Sequence, residues 1–145
     1  MPTAIHGHIS NERLLHIVLW IAQALLGATF AALALLKLLS TPDRLVEIMA
    51  WTENTPTWAV YTLGTLELIG AFIVAAPAVT RTPQRIVGWT AAVFAALMGT
   101  SSLLHLLRGE LRMVPVTLAI AALSAFVAWG RITHKPLEAL EQHEA

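Results

Sequence analysis

Residues 58–79 read WAVYTLGTLELIGAFIVAAPAV, an apolar stretch that carries one acidic residue, Glu67, near its middle. A helix rises about 1.5 Å per residue, so about 20 apolar residues cross the roughly 30 Å hydrocarbon core of a bilayer. The stretch therefore predicts a membrane-spanning helix with a carboxyl group at bilayer depth.

Three further stretches have a similar length and composition, which gives predicted spans at residues 17–39, 58–79, 86–107 and 114–129. Of the 145 residues, 57% are apolar and 12% are charged. The mean hydropathy of +0.68 is higher than is usual for a soluble domain. Each stretch is apolar around nearly its whole circumference, whereas the helices of a soluble bundle carry polar stripes. We therefore predict a membrane protein.

The predicted fold is all-α, an antiparallel four-helix transmembrane bundle that occupies residues 1–145 as one domain. The connections at residues 80–85 and 108–113 are so short that consecutive helices must be adjacent. Residues 132–145 follow as a polar tail, to which no function is assigned. Residues 1–12 have no basic region ahead of a short apolar run, so we expect the first helix to be retained.

The first loop is the longest and begins with Ser-Thr-Pro-Asp at residues 40–43. Ser40 or Thr41 is a typical helix cap, and Pro42 suits the first turn of a helix. The apolar residues that follow recur at helical spacing, as expected for a helix that lies in the membrane interface. We predict a short interfacial helix over residues 42–51.

The Lys and Arg residues near the helix ends predict the orientation in the membrane. The side of the two termini carries five of them and the opposite side carries four, or two if Lys37 and Arg108 lie inside the bundle. Both termini are therefore predicted to be cytoplasmic. The five residues are Arg13, Arg81, Arg85, Arg131 and Lys135, and the four are Lys37, Arg44, Arg108 and Arg112.

The composition disfavours several classes of function. The net charge is zero and no basic cluster is present, so nucleic acid is a poor candidate partner. The absence of cysteine excludes a disulfide, a thiolate nucleophile and an iron–sulfur cluster held by this chain. No two histidines have the spacing of metal ligands on a helix, so no metal site is predicted. Nucleophile-elbow and phosphate-loop motifs are absent as well.

Small residues four positions apart are typical of faces where membrane helices contact each other. Their occurrence in several spans predicts close helix contacts and association with other membrane subunits or with a second copy of the chain. The pairs are Gly27 with Ala31, Ala92 with Ala96, Ala95 with Gly99, and Ala121 with Ala125.

Glu67 is the most informative polar residue, because a charged side chain at the bilayer centre costs several kcal/mol by insertion scales. It lies ten residues into its span, about 15 Å deep by helical rise, which is too deep for its side chain to reach water. The carboxyl group must therefore be protonated or have a buried partner. A proton-carrying role and a purely structural polar contact both remain open.

In the first span, Gln23, Phe30 and Lys37 recur every seven residues and share one face of the helix. Two interpretations of Lys37 remain open at this point. Its side chain either extends to the membrane surface, as lysines near helix ends do, or binds a partner inside the bundle.

In the third span, Ser101, His105 and Arg108 lie at positions i, i+4 and i+7, on the same membrane side as Lys37. We predict a polar pocket with its mouth on this side and Glu67 deeper inside. The alternative is a solvated loop with an interfacial histidine. Glu67 is the candidate proton carrier. The candidate ligand-binding residues are Lys37, Glu67, Ser101, His105, Arg108 and Glu110.

Several segments resemble the DoxX-like family over about residues 15–131. The most specific are Gly-Thr-Leu-Glu-Leu-Ile-Gly at residues 64–70 and His-Leu-Leu-Arg-Gly-Glu at residues 105–110. One departure is Ala34, at a position before the lysine where the family often has glycine. The resemblance implies a four-helix protein of a bacterial or archaeal inner membrane. Further similar segments are residues 30–38, 77–81 and 129–131.

Two classes of function follow. Some DoxX-like proteins are similar to subunits of quinone-linked sulfur oxidoreductases, and others are connected with thiol stress or quinone detoxification. The resemblance does not choose among these, and in the first class of function the protein is a redox-associated accessory subunit. Its pocket would accept a quinone or a similar apolar ligand, with His105 and Lys37 donating hydrogen bonds and Glu67 exchanging a proton.

The sequence shows no self-contained catalytic centre, so the electrons for such a reaction would come from a partner. The alternative is a structural or assembly subunit, in which Glu67 holds the bundle together through an interhelical hydrogen bond. Transport of a small solute is a third interpretation, although no discontinuous or inverted-repeat helix supports it.

Overall fold

A computed structural model describes residues 4–78, 80 and 82–134, with side chains from residue 11 onward. The described part is helical and contains no strand, and the prediction of an all-α four-helix bundle is confirmed. The polar tail after residue 134 lies outside the described residues. The helices are α1 (Ala4–Leu39), α2 (Pro42–Ile48), α3 (Thr57–Ala75), α4 (Gln84–Leu107) and α5 (Val114–Thr133).

Four of the helices, α1, α3, α4 and α5, are long and apolar enough to cross a membrane. They alternate in direction, so α1 begins and α5 ends on one side, here called the terminal side. The opposite side, here called the loop side, holds α2 and the turn between α4 and α5. Exposed tryptophans lie near both ends, Trp58 on the loop side and Trp89 and Trp129 on the terminal side. Such belts are typical of the two bilayer interfaces.

Helix α1 is longer than one bilayer crossing requires, since its 36 residues extend over about 54 Å. It begins at Ala4, within the segment that the sequence marks as a polar N-terminus. The Leu19 side chain lies against Gly130 near the end of α5. The part of α1 before Leu19 therefore extends beyond the bundle on the terminal side by about 20 Å.

Helix α2 is the short helix expected in the first loop. Thr41 caps it, because its hydroxyl accepts a hydrogen bond from the backbone N–H of Arg44 at 3.4 Å. Leu45 is buried beneath the helix. The helix ends three residues before the predicted boundary because Met49 leaves the helical conformation, with φ −131° and ψ 83°. A 3-10 turn at Ala50–Thr52 follows.

The bundle consists of two helix hairpins, α1 with α3 and α4 with α5, which are packed closely within themselves and less extensively against each other. Phe30 of α1 stacks on Phe94 of α4 between the hairpins, with ring centroids 3.5 Å apart and planes 4° apart. A Cβ added to Gly70 of α3 would lie 2.5 Å from Phe94 Cζ. The missing side chain at Gly70 therefore makes room for the aromatic stack at the bundle centre.

We expect Gly70→Ala to lower the free energy of unfolding by about 1–3 kcal/mol, because the added methyl group overlaps Phe94 and forces the stack to move. Thermal unfolding in detergent measures the effect. Gly99→Ala on α4 is the matched control, since a Cβ there meets nothing within 4 Å and alanine has the higher helix propensity. Equal stability of the two variants would contradict this packing.

Candidate functional site

Lys37 of α1 and Glu67 of α3 lean toward each other across the contact between their helices. Each Cα–Cβ bond tilts toward the N-terminus of its own helix, and α1 and α3 run in opposite directions. Lys37 lies level with Gly64, because a Cβ added to Gly64 would be 3.0 Å from the Lys37 Cβ. The Lys37 side chain therefore leans toward the membrane centre. Glu67 lies about one turn deeper, and its side chain leans back toward Lys37.

The two side chains form a buried ion pair. Lys37 Nζ donates a hydrogen bond to Glu67 Oε2 at 2.7 Å, and the residues are only 4% and 2% exposed. Nζ also lies 3.5 Å from the Leu33 carbonyl oxygen, one turn deeper in α1. Lys37 thus binds a partner inside the bundle and does not extend to the membrane surface. The pair carries no net charge, which lowers the cost of placing it at bilayer depth.

Close approach of α1 and α3 makes this pair short. Gly64 has no side chain at the contact, where an added Cβ would lie 3.4 Å from the Ala34 carbonyl oxygen. Ala34 faces Gly64 across this contact, and the glycine permits the close packing here. The Tyr61 hydroxyl also donates a hydrogen bond to the Ser40 carbonyl oxygen at 3.2 Å, which fixes the loop-side ends of both helices.

His105 and Glu110 form a second polar pair at the loop-side end of α4. His105 Nδ1 and Glu110 Oε2 are 2.5 Å apart, and the two side chains are 15% and 31% exposed. Gly109 between them has a φ of 74°, a left-handed conformation that glycine adopts without strain. The backbone N–H of Glu110 consequently bonds to the His105 carbonyl oxygen at 2.9 Å. The turn after α4 therefore folds Glu110 back onto His105.

Four of the six predicted site residues thus form two separate pairs. The first joins α1 to α3, and the second stays within α4 and the turn that follows it. Ser101 is half-buried and Arg108 is exposed, and neither side chain forms a hydrogen bond with another residue of the described part. No hydrogen bond among the described residues joins the two pairs, so the single pocket that unites all six side chains stays a prediction.

A cavity of about 150 Å³ lies on the loop side between α2 and the start of α3. Asp43, Leu45, Thr52 and Val60 are among its lining residues, and none of the six predicted site residues contributes to it. It is therefore separate from both polar pairs.

A third polar cluster, on the terminal side, was missed by the sequence analysis. Arg131 of α5 donates from Nε to Gln23 Oε1 of α1 at 2.8 Å, and Gln23 Nε2 donates to the Val74 carbonyl oxygen of α3 at 2.6 Å. The guanidinium carbon lies 5.1 Å from the centre of the Trp20 ring, a cation–π distance. In the sequence, Gln23 could have indicated this cluster, because it is a polar residue within an apolar span and lies on the face shared with Lys37.

Among the residues that the structure describes, no group of three or more His, Cys, Asp or Glu side chains could hold a metal ion. The polar groups of the three clusters are an amine, carboxyl groups, an imidazole, an amide and a guanidinium. Such groups form hydrogen bonds and exchange protons.

The fold and the buried charges define a small multi-pass membrane protein of the four-helix type. The family model described as the DoxX-like family matches residues 21–127, so the chain belongs to this family. No curated protein and no solved structure matches the chain.

We expect Glu67→Gln and Lys37→Met each to lower the free energy of unfolding by about 3–5 kcal/mol, because each leaves one buried polar partner without its counterpart. The double variant Lys37→Met/Glu67→Leu should regain most of that loss, since apolar residues of similar size often replace a buried ion pair without destabilisation. Unfolding in detergent, followed by circular dichroism, measures all three.

The matched control is Glu47→Gln. Glu47 forms an ion pair of the same length, 2.7 Å, with Arg44, but both side chains are more than 60% exposed. Its removal should change stability by no more than about 0.5 kcal/mol. Similar losses for Glu47→Gln and Glu67→Gln would show that burial of the Lys37–Glu67 pair has no energetic consequence.

Proposed function

We propose that the protein is an accessory subunit of a membrane-bound, quinone-linked redox system. The observation that carries the proposal is the buried pair of Lys37 and Glu67, which holds an amine and a carboxyl group at bilayer depth. An apolar ligand dissolved in the bilayer is present at this depth, which favours it over a water-soluble substrate. We further propose a prokaryotic inner membrane as the location, with both termini in the cytoplasm.

The chemistry of quinone reduction suits this pair. A quinone takes up two electrons and two protons to become a quinol, so its site needs groups that donate hydrogen bonds to the quinone oxygens and pass on protons. In the proposal, Lys37 donates a hydrogen bond from Nζ, and Glu67 gives or takes a proton. His105 serves the same purpose nearer the loop side. The electrons come from a partner protein in the membrane.

The partner is proposed to bind the α4 face that holds the small residues Ala95, Ala96 and Gly99. A Cβ on Gly99 would meet no atom within 4 Å, so this part of α4 leaves room for another helix. Small residues at such spacing allow close helix approach in lipid. A second copy of the chain or a different subunit fits this surface.

A structural or assembly subunit is the second candidate, and one observation favours it. Lys37 and Glu67 satisfy each other at 2.7 Å, as a pair that only fastens α1 to α3 would do. In this case the polar atoms serve the stability of the bundle, and apolar residues that pack equally well would replace them without loss of function.

Binding of decylubiquinone to the purified protein, followed by quenching of tryptophan fluorescence, tests the two candidates. The double variant Lys37→Met/Glu67→Leu is the decisive protein, because it lacks the polar atoms but should retain the fold. If the redox proposal is correct, decylubiquinone binds saturably to the wild type and its affinity falls at least tenfold in the double variant. A tenfold loss corresponds to about 1.4 kcal/mol for the hydrogen bonds removed.

Equal binding by the wild type and the folded double variant would refute a role of the pair in quinone binding. Absence of binding to the wild type would favour the structural candidate. Native mass spectrometry of the protein extracted gently from its own membranes then identifies its partners, and a stoichiometric partner without a retained quinone would support an assembly role.

A further inference from the structure

Arg131 has hydrogen-bonding capacity that the described part of the protein does not use. Its Nε bonds to Gln23, but Nη2 is buried and has no hydrogen-bond partner among the described residues. Arg131 as a whole is only 6% exposed. A buried donor without an acceptor costs free energy, and the cost is greater when the donor is charged. An oxygen atom from outside the described residues is therefore the expected partner of Nη2.

The positive charge of Arg131 is also uncompensated. No ion pair joins it to a carboxylate within the part of the chain that the structure describes, in contrast to Lys37, which has Glu67. The position of Arg131 in the last turn of α5 gives only partial compensation through the helix dipole. We therefore expect the partner to be an anion from outside the described residues, because an anion supplies both an acceptor for Nη2 and a compensating charge.

The guanidinium is held in place for such a partner. Gln23 fixes its Nε edge, and the Trp20 ring lies under its face. Trp20 is itself oriented by a hydrogen bond from its Nε1 to His16 Nε2 at 3.0 Å. The contacts with Gln23 and Trp20 involve the Nε edge and the face of the guanidinium, and they leave Nη2 without a hydrogen bond among the described residues. The planar guanidinium, with one terminal nitrogen unused, matches the geometry of phosphate oxygens.

The depth of the cluster indicates where the anion resides. Gln23 bonds to the carbonyl oxygen of Val74, one residue before the end of α3, and Arg131 lies two residues before the end of α5. Trp129 nearby is 49% exposed, as expected for a tryptophan at a bilayer interface. The cluster thus lies near the terminal-side ends of α3 and α5, within reach of the level expected for the lipid headgroups. Gln84 begins α4 at the same end, and its buried Oε1 also has no hydrogen-bond partner in the described part of the chain.

We propose that Arg131 binds a phosphate group on the terminal side of the bundle, with Gln23 and Trp20 as positioning residues. Two sources have this chemistry, the headgroup of a phospholipid and free inorganic phosphate. The level of the cluster in the membrane favours the headgroup. This site is independent of the Lys37–Glu67 pair, which lies on the other half of the bundle and belongs to the proposed quinone site.

The test measures thermal unfolding of the full chain, purified in detergent and depleted of lipid, with three additives. Short-chain phosphatidylglycerol is the lipid probe, inorganic phosphate is the free-anion probe, and a short-chain glucoside without phosphate is the control for the alkyl chains. A ligand that binds only the folded state raises the melting temperature. We expect phosphatidylglycerol to raise it by at least about 3 °C and the glucoside to have no effect.

Variants assign the effect to Arg131. The shift should disappear in Arg131→Gln and persist in Arg85→Gln, the matched control, because Arg85 is exposed at the same end of the bundle. A shift with the lipid alone supports a headgroup site, and equal shifts with lipid and inorganic phosphate support a phosphate site open to both sources. No shift with either probe, or a shift that persists in Arg131→Gln, overturns the proposal.

A second measurement decides the question if Arg131→Gln does not fold. Phosphate bound to Arg131 alters the environment of the Trp20 ring, so titration of the wild type with phosphatidylglycerol should change the tryptophan fluorescence saturably. The change should be lost in Trp20→Phe, which retains an aromatic ring under the guanidinium. A wild type without a saturable change, or an unaltered change in Trp20→Phe, overturns the proposal.

Discussion

The bilayer interior offers no water to a buried polar group, and this constraint determines how the chain is organised. Hydroxyl groups find a partner within their own helix, by donating a hydrogen bond to the carbonyl oxygen one turn earlier. Within the part of the chain that the structure describes, four long polar side chains instead take part in hydrogen bonds between the spanning helices. Hydroxyl examples are Thr29, Thr65, Thr90, Thr117 and Ser124, and the four long side chains are Gln23, Lys37, Glu67 and Arg131.

The interhelical polar contacts join different pairs of helices in the bundle. The Lys37–Glu67 pair joins α1 to α3, hence it strengthens a hairpin whose helices already pack closely. The hydrogen bond between Gln23 and Arg131 joins α1 to α5, so it connects the two hairpins, where packing is less extensive. Phe30 and Phe94 stack between these levels. The chain therefore has a polar contact at each end of an apolar centre, with α1 taking part in every layer.

Membership of the DoxX-like family and the buried ion pair support both proposed functions. The two functions differ in one physical respect. A pair that only fastens helices can be exchanged for apolar residues of similar size, because packing replaces the contact. A pair that binds a quinone and exchanges protons cannot, because the hydrogen bonds and the proton are themselves required. The phosphate site proposed at Arg131 rests on a different property, an unused donor near headgroup level. It is tested independently of the two functions proposed for the Lys37–Glu67 pair.

The sequence by itself determined the four spans, the antiparallel bundle and the exceptional status of Glu67, because hydropathy and helical rise are local properties of the chain. It left the partner of Lys37 open and did not reveal the role of Arg131, which looked like an ordinary flanking charge. Only the tertiary structure decided these contacts. The reason is that these contacts, of Lys37 with Glu67 and of Gln23 with Arg131, form only when separate helices are aligned at matching depths in the membrane. This alignment depends on close approach of the helices at residues such as Gly64.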